Sequence, residues 1–113
     1  MTHKHGIPGE FEQLVLLAIL QLNSEAYGPN ISAELEDKAG RRVSRGALYS
    51  SLDRLQQKGL IKWKIEAATS ARGGNPKRLF EVTPAGVKAL KTARSAFTRL
   101  STGLEEVLGE TGG

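Results

Sequence analysis

Apolar positions along this chain recur with two different periods, and the change between them divides it. From Glu10 to Asn23, Phe11, Leu14, Val15, Ala18 and Leu22 fall on one helical stripe, and Leu16, Leu17, Ile19 and Leu20 cover much of the remainder. A helix apolar nearly all round is expected at the centre of a domain, packed by more than one neighbour. The turn-rich "NSEAYGPN" ends it, and Pro29 suits the first turn of a second helix, where a missing N–H costs nothing. Ile31 and Leu35 give that helix a narrow apolar face, and Gly40 in "KAGRR" is its natural left-handed stop. Ser44 then reads as the N-cap of a third helix, with Val43 placed to pack on Leu48 as a hydrophobic staple. Leu48, Leu52 and Leu55 follow at i, i+4 and i+7. Gly46, Ser50, Asp53 and Gln57 face the other way, with Arg45 and Tyr49 on one flank and Arg54 on the other.

After Gly59 the period drops to two. Ile61, Trp63 and Ile65 alternate with Lys62, Lys64 and Glu66, which predicts a strand with one buried face. A second strand is expected over residues 78–83, with Phe80 and Val82 inward and Trp63 in the core or supporting the hairpin. Between the strands, "AATSARGGNPK" is a loop carrying Arg72 and Lys77, so a basic tip projects from the body. "TPAG" opens a last helix, capped by Thr83 with Pro84 at its first position. Leu90, Ala93, Phe97, Leu100, Leu104 and Val107 occupy a and d heptad positions on it. Gly103 inside that stripe costs about 1 kcal/mol against alanine. Such a short seam needs a partner surface to fold against.

Charge sharpens the picture. The 113 residues suffice for one domain with a single modest core. The net charge of +4 is unevenly spread: residues 1–40 hold two Lys against six acids, and residues 41–78 hold ten Lys and Arg against Asp53 and Glu66. All of the basic excess therefore sits on the third helix, the hairpin and their flanks, as an electrostatic footprint for a polyanion would. A solvated basic surface is the rival reading.

Other chemistry finds little support. Without cysteine there is no disulfide framework, thiolate metal site or thiol nucleophile. His3 and His5 sit in a polar N-terminal arm with no third ligand, so neither a metal nor a cofactor is expected. "ARGGNPK" lacks phosphate-loop spacing and joins strand to strand. No acid–base constellation points to an enzyme. No apolar run approaches the roughly 18 residues of a membrane span, and the arm lacks a signal-peptide core. A cytoplasmic protein without membrane contact is the expectation.

The predicted order is helix, helix, helix, two-stranded hairpin, helix: mainly α with a small β-hairpin, the winged helix-turn-helix arrangement. In it the third helix enters the major groove and the wing reaches along the backbone. Residues 1–9 are read as a flexible arm, 10–83 as the winged helix-turn-helix domain, 84–108 as a C-terminal dimerisation helix and 109–113 as a tail. "GALYSSLDRLQQKGLI" followed by "GGNPKRLFEVTPAGVKAL" resembles the PadR family of transcriptional regulators. The resemblance extends upstream through "LLAILQLNSEAYGPNISAEL" and covers roughly residues 10 to 92. Ser50 stands where many members have proline, and Phe80 where tyrosine is commoner.

What the resemblance implies is a dimer that binds double-stranded operator DNA on a pseudo-palindrome and represses neighbouring genes until an effector intervenes. Its DNA contacts are expected from Arg42, Ser44, Arg45, Gly46, Tyr49, Ser50 and Arg54 around the third helix, and from Arg72, Lys77 and Arg78 on the wing. Tyr49 looks like the family's helix-three tyrosine near the phosphates, against a half-buried tyrosine that supports the turn. Dimerisation is expected through the six heptad residues, Leu90 to Val107. Some members line a drug pocket with aromatic residues of the terminal helix, where this chain offers only Phe97. Two other functions stay open at this point: a winged-helix module for acidic protein partners, and a nonspecific architectural DNA binder.

Overall fold

In the computed structural model, which describes residues 7–66 and 76–109, the change of period at Gly59 separates three packed helices from a hairpin. Helix α1 spans Glu10–Leu22, α2 Gly28–Ala39 and α3 Arg45–Gln57, with a short 3-10 turn at Asn23–Glu25. Gly40 adopts φ 64°, the left-handed stop expected after α2, and its N–H donates to the Glu36 carbonyl. The Ser44 hydroxyl accepts from the Ala47 N–H at 3.1 Å and caps α3. Val15, Leu16 and Ile19 of α1 meet Ile31 and Leu35 of α2 and Leu48, Leu52 and Leu55 of α3 in one buried cluster. Leu17 and Leu20 depart from the expectation of an almost fully enclosed α1 and remain exposed. The chain's own elements cover only part of that helix.

Strands β1 (Ile61–Glu66) and β2 (Lys77–Val82) pair antiparallel, with Ile61 opposite Val82, Trp63 opposite Phe80 and Ile65 opposite Arg78. The connection between α1 and α2 adds to the outer edge of β2: the Phe80 N–H donates to the Ala26 carbonyl at 2.9 Å, and Tyr27 bridges to Leu79. This fastens the wing to the start of α2. Burial on the inward face fades towards the tip. Ile61 and Phe80 are buried, Trp63 is 36% exposed and Ile65 57%. The expected inward face of β1 is therefore apolar-packed only at its base, and its outer half borders an open groove instead. The loop tip, Arg72 included, lies outside the described residues.

The terminal segment differs from the single helix expected over 84–108. Helix α4 runs Pro84–Ser101, capped by the Thr83 hydroxyl, which accepts from the Gly86 N–H at 3.1 Å. It stops at Thr102–Gly103, and a short α5 follows over Glu105–Leu108. Gly103 takes φ 89°, and the Ser101 and Thr102 hydroxyls bond back to the Phe97 and Thr98 carbonyls. Glycine, which is permissive of that φ, and hydroxyls that compete for the ladder end the helix there. The heptad stripe is divided as well. Leu90 and Ala93 are buried within the chain, whereas Phe97, Leu100 and Val107 are 69%, 80% and 81% exposed. Leu90 and Ala93 thus anchor α4 to the domain, and the outward stripe begins only at Phe97.

Candidate nucleic-acid interface

Groove access requires a helix whose outward side is small and polar, and α3 has one. Gly46 and Ser50 are exposed on it, and a Cβ added at Gly46 would meet nothing within 4 Å. Beside this face, the first turn of α2, the N-terminal part of α3 and the outer half of the wing border an open groove of about 770 Å³. Arg45, Lys77 and Arg78 line it from two elements distant in sequence.

Tyr49 is the centre of this arrangement. Arg45 lies 5.3 Å and Arg78 5.6 Å from its ring centroid, and Phe80 meets it edge-on at 6.3 Å. Its hydroxyl presses on α2 so closely that a Cβ at Gly28 would fall 2.0 Å from Oη. Tyr49 therefore packs against the start of α2 while its flank borders the groove. The Gly28 requirement escaped the sequence reading, although "YGP" at a helix start was its visible signal.

The remaining cations are placed unevenly. Arg42 pairs with Glu36 at 3.4 Å, both well exposed, a contact of small energy. Arg54 turns to the α1 side, where its Nε reaches Glu12 at 3.3 Å and its Nη2 donates to Ser51 at 3.0 Å. Lys58 donates to the same carboxylate at 2.9 Å. Burial pushes the Glu12 carboxyl up, but hydrogen bonds from Lys58 and Arg54 and the charge of Lys58 outweigh it and hold the group below the usual carboxylate range. Arg54 is thus engaged in tying α3 to α1, a role the spacing did not reveal because its partner lies 42 residues away. Ser44 works as the cap of α3.

Among the described residues, no group of three His, Cys, Asp or Glu is arranged to hold a metal, and no helix is long and apolar enough to cross a membrane. Residues 16–92 match the model of the Transcriptional regulator PadR-like family. This chain belongs to the PadR family. A transcriptional regulator of Mycobacterium tuberculosis is 36% identical over 87 residues, which make up 77% of this PadR chain and 74% of that protein. Among solved structures, a PadR-like regulator from Bacillus cereus is 26% identical with a TM-score of 0.70, covering 89% of this chain and 93% of that one. A PadR family regulator from Eggerthella lenta, also 26% identical, has a TM-score of 0.65 and covers 90% and 88% of the two chains. The winged-helix fold and membership of a family of transcription regulators are thereby established.

Proposed function

We propose that this PadR protein is a homodimeric, sequence-specific repressor that reads double-stranded DNA with the exposed face of α3 and anchors itself with the wing. The observation that carries the reading is the convergence of Arg45 and Lys77, from α3 and the wing, on one groove beside the open Gly46–Ser50 face. Phosphates demand cations, and base edges demand a helix surface free of bulk. On this reading Arg42, Arg45, Lys77 and the wing-tip Arg72 neutralise phosphates. Gly46 and Ser50 meet base edges, and Tyr49 holds the reading helix against α2.

The exposed Phe97, Leu100 and Val107 support a second copy as the other partner, since a monomer would leave that apolar stripe in water. A two-fold dimer would place its reading helices about 34 Å apart, one DNA turn, on a pseudo-palindrome. Such a protein acts in the cytoplasm, and an effector would work by biasing the dimer interface or the wing.

The test is fluorescence anisotropy with the DNA upstream of the chain's own gene against a scrambled duplex across a salt series. Tighter binding to the native duplex with a steep salt slope supports the reading. Equal binding to both would turn it into an architectural role, and no binding at low salt would remove DNA as the partner.

A further inference from the structure

Arg78 stands out among the cations of the groove. It lies on the inward face of the wing, two residues before Phe80, where alternation puts it on the same side of the sheet as Trp63 and Ile65. Its guanidinium sits 4.7 Å from the Trp63 ring centroid, 5.6 Å from Tyr49 and 5.9 Å from Phe80. Trp63 in turn donates its indole N–H to Gln56 of α3 at 3.0 Å. Apolar packing under the wing runs out at the Trp63–Phe80 rung, because Ile65 beyond it is exposed. What continues the attachment outward is a stack running from Gln56 through Trp63 and Arg78 to Tyr49, with both ends on α3.

From this we infer that Arg78 is a positioning residue: it fixes the angle of the wing relative to the reading helix through its planar face, and its charge is not what DNA uses. The inference rests on the DNA-binding reading above and departs from the sequence expectation that Arg78 contacts phosphate. A planar guanidinium stacks on aromatic rings, whereas a lysine ammonium brings the charge without the plane. Each phosphate neutralised contributes about −0.9 to the slope of log affinity against log salt. The two roles therefore predict opposite patterns.

The experiment compares wild type, Arg78→Lys, Arg78→Gln, Gln56→Ala and Lys77→Ala for binding to mixed-sequence duplex DNA across a salt series. Circular dichroism confirms that each variant is folded. Emission and acrylamide quenching are read from Trp63, the single tryptophan of the chain. A positioning role gives both Arg78 variants and Gln56→Ala about three- to tenfold weaker binding, the range of a lost cation–π contact. Their salt slope stays unchanged and Trp63 becomes more accessible, while Lys77→Ala flattens the slope by about one. Arg78→Lys with near wild-type affinity, or Arg78→Gln with the flattened slope of Lys77→Ala, would overturn the inference and leave the DNA reading standing. Failure of wild type itself to bind any duplex would overturn the DNA reading and this role with it. Unchanged Trp63 quenching in folded Arg78 variants would show that the stack does not hold the wing.

Discussion

Glu12 offers the sharpest test of how the reading helix is held. Its carboxylate is buried at the start of α1 and accepts from Lys58 at 2.9 Å and from Arg54 at 3.3 Å, both on the rear flank of α3. Glu12→Gln keeps the shape and removes the charge. A hydrogen bond to a charged group contributes about 1.5–3 kcal/mol. Here one of the two is long, and both cations are partly exposed and can recover water, so the joint loss is discounted to about 1–2 kcal/mol. For a domain of this size that lowers Tm by about 5–10 °C. The pH dependence carries the stronger test. Because folding lowers the pKa of this carboxyl, its stabilisation is present above the unfolded value of about 4.3 and is lost as pH falls through the folded value. The gap in Tm between wild type and variant should be full at neutral pH and close in acid. Thermal melts followed by circular dichroism down to about pH 3 would measure it. A gap that stays the same throughout would refute the ionic account and point to packing alone.

Other expectations follow from single contacts. Gly28→Ala should destabilise by about 1–3 kcal/mol through overpacking against Tyr49, and Tyr49→Phe in the same chain should recover part of the loss in denaturant melts. Full additivity of the two changes would show that the hydroxyl is not the obstruction. Ser44→Ala removes the α3 cap and should cost about 1 kcal/mol by the same assay, with Ser44→Asp close to neutral. An alanine variant as stable as wild type would show that the cap is idle. Leu100→Asp should yield a monomer by sedimentation or light scattering and lower operator affinity; a variant of unchanged mass would place the dimer contact elsewhere.

The local chemistry of this chain was legible without a structure. Gly40 ends α2 and Ser44 and Thr83 cap α3 and α4, because caps depend on residues a few positions apart. The same locality made the hairpin and the basic third of the chain readable. What the sequence could not determine is which surfaces meet. The heptad pattern treats Leu90 and Phe97 alike, yet the fold buries one against the domain and leaves the other in water. Alternation gives Ile61 and Ile65 the same face, yet the fold buries the first and leaves the second beside an open groove. A periodicity fixes the direction of a side chain from its own element and says nothing of what lies opposite. The electrostatic roles divide the same way. Net charge marked Arg54 and Arg78 only as part of a basic surface, whereas in the fold Arg54 pairs with Glu12, 42 residues away, and Arg78 lies between Trp63 and Tyr49. Tertiary structure decided these cases because it alone brings together groups that the chain keeps far apart.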